Sequence, residues 1–510
     1  MTTSLKPWPA LWSLVIGFFM ILIDTTIVSV ANPSIMRGLD TDINSVIWVT
    51  SAYLLAYAVP LLITGRLGDR FGPKNLYLTG LVVFTLASVW CGFAGSVGAL
   101  IAARVLQGLG AAIMTPQTMA VITRIFPPDR RGAAMGLWGS VAGLATLVGP
   151  ILGGVLVDGL GWEWIFFINL PVGIVGFILA ARFVPRLPTN SHKFDILGVV
   201  LSAVGMFLLV FGIQEGETYD WGVIAGPISV WSLIIAGVVV LVGFVVWQRV
   251  NRGEPLLPLG LFRERNFSLG NAAISTIGFA VTSMSLPLVF FYQTARGLTP
   301  TQSALMLAPM AVISAVLAPF AGRLLDRVNP RNFAVLGTLL LASALVWYSL
   351  LLSPDTAIGW FLLPSALLGV ANAFVWGPIS NATTRALPPQ QAGAGSGVFN
   401  TTRQVGAVLG SASIAVLIEA RLAAEMPAGG AGAAPAGEIG GGLLPEALRA
   451  GFSTAMAQSL LLPAAVAVVG AIIVACFARP KAAVWGAPGA APGAASGGAP
   501  GGAEPAVSRQ

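Results

Sequence analysis

An eleven-residue segment occurs twice in this chain, as GRLGDRFGPKN at Gly65–Asn75 and as GRLLDRVNPRN at Gly322–Asn332. Seven of the eleven positions are identical, and Lys74 is matched by Arg331. Each copy closes one long apolar run and opens the next, so the chain folds as two halves of like orientation. A second echo keeps nearly the same offset. Pro127-Pro128 leads to Gly132, Ala133 and Gly136, and Pro388-Pro389 leads to Gly393, Ala394 and Gly397.

The apolar runs are those of a membrane protein. Charged residues make up 9% of the chain and mean hydropathy is +0.85, whereas a soluble domain carries roughly 25% charged residues. About 20 apolar residues cross a hydrocarbon core as a helix, because only internally bonded backbone survives there. Fourteen such runs begin near residues 11, 46, 76, 99, 134, 164, 195, 226, 268, 303, 333, 358, 395 and 454. The first carries Asp24 and lacks a small-residue cleavage site, so it is expected to stay as an anchor.

With both termini cytoplasmic, the cytoplasmic segments hold 21 Lys and Arg and the opposite connections hold 4 (Arg37, Arg296, Arg421, Arg449), with Arg104 and Arg403 inside spans. That asymmetry sets the orientation and accounts for the pI of about 9.8 without nucleic acid. Two cysteines and one histidine, His192, build neither a disulfide framework nor a metal centre. None of the four lysines follows a glycine as a phosphate loop demands. No cofactor is implied, and the loops are too short and plain for an enzyme.

The expected organisation is an N-terminal six-helix bundle (1–190), two extra central spans with a cytoplasmic linker (191–266), a C-terminal six-helix bundle (267–481) and a low-complexity tail (482–510). Parallel repeats of this kind belong to alternating-access carriers, with substrate near the midplane between the halves.

Several segments resemble the major facilitator superfamily, and within it the fourteen-span drug:proton antiporters of the EmrB/QacA type. GRLGDRFGPK is similar to the superfamily's loop signature, RVLQGLGAA at Arg104–Ala112 to its fourth-span motif, and GPILGG at Gly149–Gly154 to the antiporter motif of the fifth span. LIDTTIVSVANPSI at Leu22–Ile35 resembles the acidic first-span signature, WVTSAYLLA at Trp48–Ala56 the second span, and NTTRQVG at Asn400–Gly406 a pattern on the thirteenth. Asn169–Pro171 also fits the family pattern. Departures are Ser29, Asn32 and Glu163, and the twelfth span lacks the acid that some exporters of dications carry.

The resemblance implies an all-α integral membrane protein with the major facilitator fold, two six-helix bundles plus two extra helices. It implies a proton-coupled antiporter that exports small amphipathic drugs or antibiotics from the cytoplasm, working as a monomer in the cell membrane. Its partners are then the small-molecule substrate, protons and the lipid bilayer. An importer or exporter of one metabolite, or a non-transporting receptor or scaffold, is the alternative.

In the loop motif, Gly65 and Gly68 let helices approach closely, and Asp69 offers a carboxylate to a helix N-terminus. Arg66, Arg70 and Lys74 hold the loop at the cytoplasmic surface. The resemblance places the partner of Asp69 near Gly393–Gly397, with Arg131 as a second charge partner, and such a contact would latch the cytoplasmic side. The second copy has Leu325 and Asn329 where the first has Gly68 and Gly72, so Asp326 is expected to be a weaker, partly structural echo.

An acid deep in a span costs roughly 3 kcal/mol on insertion scales and normally faces a cavity or a partner. At about 1.5 Å per residue, Asp24 lies roughly 20 Å from the cytoplasmic surface, and Arg104 reaches a similar depth from the other side. Burial favours the neutral acid and a nearby arginine favours the carboxylate, so altered pairing can load and unload a proton.

Gly149, Gly153 and Gly154 around Pro150 read as a hinge and close-contact seam. Asn400, Arg403 and Gln404 share one helix face. With Tyr53, Gln107, Trp138, Tyr292, Gln293 and Asn372, Asn400 and Arg403 form the candidate substrate cavity.

Overall fold

The computed structural model describes residues 6–41, 43–127, 130–189, 195–216, 218–251, 255–325, 329–385, 387, 391–426 and 444–478. The expected tail from 482 and Asp326 lie outside the described residues. Those described form a helical membrane protein whose sole sheet among them is a two-stranded ribbon.

The helices are α1 (Pro7–Gly38), α2 (Ile43–Ala58), α3 (Leu61–Phe71), α4 (Pro73–Gly92), α5 (Val97–Ile125), α6 (Arg131–Leu160), α7 (Trp164–Phe167), α8 (Asn169–Phe183), α9 (Ile196–Gln214) and α10 (Val230–Val250). They continue with α11 (Arg265–Phe290), α12 (Pro300–Leu305), α13 (Ala308–Leu325), α14 (Pro330–Leu351), α15 (Leu362–Thr384), α16 (Ala392–Glu425), α17 (Glu446–Ser459) and α18 (Leu461–Ala475). Twelve candidate spans are long and apolar enough to cross a bilayer, and α2 with α3 makes a thirteenth bent by 47°. The bend falls at Pro60, which caps α3 and lacks the N–H that would continue α2. The remaining expected run lies in α6, a 30-residue helix whose described apolar stretch, Val148–Val157, is too short to span by itself.

The repeated motif has a structural counterpart. α3 packs on the start of α16, and α13 packs on the start of α6. A Cβ built on Gly65 would lie 2.5 Å from Gly393 O and 3.0 Å from Gly397 Cα. One built on Gly322 would lie 2.8 Å from Gly132 O and 2.7 Å from Ala133 Cα. The two copies thus meet the two echoes, Gly132-Ala133-Gly136 and Gly393-Ala394-Gly397, along two seams of matching design. In lipid, where apolar burial gives little drive, such close backbone packing supplies much of the association energy.

The central pair α9 and α10 forms a hairpin whose far turn is the ribbon β1 (Val223–Ala225) and β2 (Ile228–Ser229). Asp195 fastens its other end. Its carboxylate caps α9 through Gly198 N at 2.9 Å and accepts from Trp247 Nε1 at 2.9 Å and Gln248 Nε2 at 2.7 Å on α10. Burial alone pushes this carboxyl up, but these donors and Leu256 N hold it below the usual carboxylate range. α9 also packs on the bundles, where Met206 and Val210 meet Leu55 of α2 and Val405 and Val408 of α16.

Candidate functional site

Asp24 is the eighteenth residue of α1, and Arg104 lies eight residues into α5; both side chains are fully buried. Arg104 Nη1 donates to Asp24 Oδ2 at 2.5 Å. The other carboxylate oxygen, Oδ1, accepts from Gln107 Nε2 at 2.8 Å and Asn169 Nδ2 at 3.2 Å. Arg104 also donates to Gln107 Oε1 at 2.7 Å and to Val49 O at 3.2 Å, and its guanidinium lies over the Tyr53 ring, 4.0 Å from the centroid. Its Nη2 has no hydrogen-bond partner. Asn169 reaches further, to Ser88 Oγ at 2.9 Å, and Ser88 Oγ donates to Phe166 O at 2.9 Å.

Five elements therefore build one cluster around the ion pair. α1 supplies the acid, α5 the arginine and Gln107, α2 the tyrosine, α8 the asparagine and α4 the serine. Three donors on a buried carboxylate are what its ionised form needs. Without that carboxylate Arg104 would be buried with no counterion.

Gln107, expected on the cavity wall, belongs to this cluster because it lies one helical turn from Arg104 and points the same way. Asn169 was missed as a ligand of the acid, and Ser88 as the partner of that asparagine. Asn169 stood out only as family pattern, although an amide opening an apolar run is itself a signal that needs a partner.

The GPILGG motif packs on the turns of α1 that flank Asp24. A Cβ on Gly149 would overlap Thr26 Oγ1, and one on Gly153 would lie 2.9 Å from Ile27 Cγ1, while Pro150 lies within the continuous helix α6. Gly154 faces the other half, where a Cβ built on it would lie 3.3 Å from Thr301 Oγ1. Gly149→Val forces α1 away from α6 beside the acid. Overpacking of this kind costs roughly 1–3 kcal/mol, so transport by membrane vesicles is expected to fall about tenfold at equal protein content by immunoblot. An undiminished rate would show that the seam tolerates the added bulk.

Asp69, at the end of α3, is buried on the first seam. Its Oδ1 accepts from Gly393 N at 3.0 Å, and Oδ2 from Ala394 N at 2.9 Å, the first turns of α16. Its charge partner is Arg124 of α5, with Nη2 2.5 Å from Oδ1. Arg131 was expected in that place, but its Nε donates to Phe126 O at 2.9 Å, because the side chain folds back over the turn that precedes α6. Arg70 lies over the Phe71 ring.

The residues expected to line a substrate cavity each make contacts of their own. Tyr53 covers Arg104. Trp138 stacks on Phe18 with centroids 4.9 Å apart. Tyr292 is packed against Phe291 and Phe361, which makes it core, and neighbouring Gln293 is half-buried. Asn372 accepts from Trp376 Nε1 at 3.3 Å on its own helix. Asn400 is buried and donates to Ser396 O at 2.9 Å. Arg403 of α16 reaches across to Tyr57 Oη of α2 at 3.4 Å, and Tyr57 Oη is 3.3 Å from Thr115 Oγ1. Among the described residues no cluster of three or more His, Cys, Asp or Glu side chains is placed to hold a metal.

Two like halves, close glycine seams between them and an ion pair locked inside one half define a membrane carrier. The family model of the Major Facilitator Superfamily matches residues 14–411, and the chain belongs to that superfamily. It is 54% identical over 474 residues to an MFS-type transporter of Mycobacterium tuberculosis, covering 92% of this chain and 81% of the relative. It is 33% identical over 501 residues to the tetracenomycin C resistance and export protein of Streptomyces glaucescens, covering 93% and 92%. Among solved structures, the human organic anion transporter MFSD10 aligns with a TM-score of 0.62 over 92% of this chain and 99% of that one, at 15% identity, a likeness of fold alone. The chain is a multi-pass membrane transporter.

Proposed function

We propose that this transporter is a proton-coupled antiporter that exports drug-like or antibiotic-like molecules by alternating access. In this reading it works as a monomer, with fourteen spans and both termini in the cytoplasm. The face bearing the repeated motif is then cytoplasmic, and 1–190 and 267–481 are the two moving bundles. The observation that carries the reading is Asp24, a fully buried carboxylate held by Arg104, Gln107 and Asn169. It lies within the half that must move, where a change of conformation can exchange its partners for a proton. The names of the relatives support export: one is a resistance and export protein and another a multidrug resistance protein of Mycobacterium tuberculosis.

The test uses proteoliposomes loaded with a panel of dyes and antibiotics. An acidic exterior is expected to drive release of at least one compound, and an uncoupler to abolish that drive. Release that follows a sodium gradient alone, or that ignores both gradients, would overturn proton coupling.

A further inference from the structure

The second half carries a charge that the proton site leaves unexplained. Arg403 is the twelfth residue of the 34-residue helix α16, about 16 Å along it from its first residue and so within the span that crosses a core about 30 Å thick. Its backbone is fixed against its own half, where Gly278 of α11 packs on Arg403 O. Its side chain crosses the seam to α2 of the other half, where Nη2 makes a 3.4 Å contact with Tyr57 Oη, while Nε has no partner. Half-buried Arg403 is in neither of the two ion pairs found among the described residues, Asp24–Arg104 and Asp69–Arg124.

An arginine at this depth is costly unless it has a counterion or a polar cavity. Among the described residues no carboxylate pairs with it: Asp24 and Asp69 are committed to their own arginines, and Glu419 is exposed near the far end of α16. α15, which also faces the other half, contains no acid at all. The seam between the bundles thus presents an incompletely bonded guanidinium, with no ion-paired carboxylate beside it among the described residues.

We propose that Arg403 is the recognition site for an acidic group, a carboxylate, phenolate or sulfonate, on an otherwise apolar exported molecule, and that the transporter selects acids over cations. This rests on the export reading above. A guanidinium whose buried Nε lacks a partner can take such a group through two parallel N–H bonds when the seam opens, and Tyr57 Oη provides a further hydroxyl from the opposite bundle. A ligand there touches both halves. It also lies close to the proton site, because Tyr57 neighbours Tyr53, with centroids 6.2 Å apart, and Tyr53 covers Arg104.

The experiment uses one aromatic scaffold carrying a carboxylate, its methyl ester or a trimethylammonium group. Gradient-driven transport in proteoliposomes and binding to the detergent-solubilised full chain are both measured, for wild type, Arg403→Gln and Arg403→Lys. Wild type is expected to bind and move the acid at least about tenfold better than the ammonium compound, as charge-assisted bonds to one arginine allow. Arg403→Gln is expected to lose that tenfold for the acid while ester binding stays within about twofold, and Arg403→Lys to recover part of it. Equal handling of acid and ammonium by wild type, or equal loss of all three ligands in Arg403→Gln, would overturn the proposal. Selective, Arg403-dependent binding of the acid without transport of any probe would uphold the site and remove the export reading instead.

Discussion

Asp24→Asn is expected to abolish the response of export to a proton gradient, with gradient-driven transport falling about hundredfold or more. Asparagine is nearly isosteric and its carbonyl still accepts from Arg104, so the chain should insert and fold. It cannot take up or give back a proton. Removing the negative charge also leaves Arg104 fully buried without a counterion, a change that costs roughly 3–5 kcal/mol when a buried pair is broken. The amide acceptor, Val49 O and the face of Tyr53 offset part of this. A loss of coupling and a loss of structure are separated by substrate counterflow, which needs binding and alternation but no gradient. Counterflow in Asp24→Asn should stay within about threefold of wild type, as expected when the substrate site at the seam is intact and only the drive is gone. Asp24→Glu keeps a titratable group on a longer arm and should retain a gradient response at reduced rate. Full gradient-driven export by Asp24→Asn would remove the acid from coupling, and the buried pair would then be a packing device alone.

The duplicated architecture was legible because identity at a fixed offset survives in sequence, and glycine needed for close approach admits no substitute. Gly65 against Gly393 and Gly322 against Gly132 show why those positions repeat while Gly68, which packs against Gln117, is replaced by Leu325 in the second copy. Counting residues along a helix also gives depth, which brought Asp24 and Arg104 to one level. It does not give the direction in which a side chain points between helices that are distant in sequence. That is why Arg131 was expected beside Asp69 in place of Arg124, and why Asn169 and Ser88 went unassigned. Both arginines lie near the same membrane face, and only the packing of α5 beside α3 selects Arg124. Residue type misled at Tyr292, because an aromatic inside a span serves a core as readily as a cavity. The bend between α2 and α3 was signalled by Pro60, yet an apolar run hides a break when both of its pieces are apolar.

Asp69→Ala is expected to release the cytoplasmic closure and reduce export about tenfold to hundredfold. The aspartate side chain is 1% exposed and carries three charge-assisted contacts: Gly393 N, Ala394 N and Arg124. Truncation leaves two N–H groups at the N-terminus of α16 without acceptors and the Arg124 guanidinium without its carboxylate. Hydrogen bonds to a charged group contribute roughly 1.5–3 kcal/mol each, and losing one member of a buried set on the order of 3–5 kcal/mol. Because the contact joins α3 to α16, that energy is lost from the conformation in which these ends are packed together and not from one with the ends apart. A shift of about 3 kcal/mol changes the ratio of two conformations by more than a hundredfold. The reporter is a cysteine at Ser396, a fully buried position one turn into α16, in a chain whose Cys91 and Cys476 are serine. Its modification by a membrane-impermeant reagent from the cytoplasmic side should accelerate at least about tenfold when Asp69 is alanine. Arg124→Gln should give the same direction with a smaller change, since both backbone donors remain. Reagent access that is unchanged in both variants, with export reduced, would show that Asp69 supports the fold of α3 without controlling which side of the transporter is open.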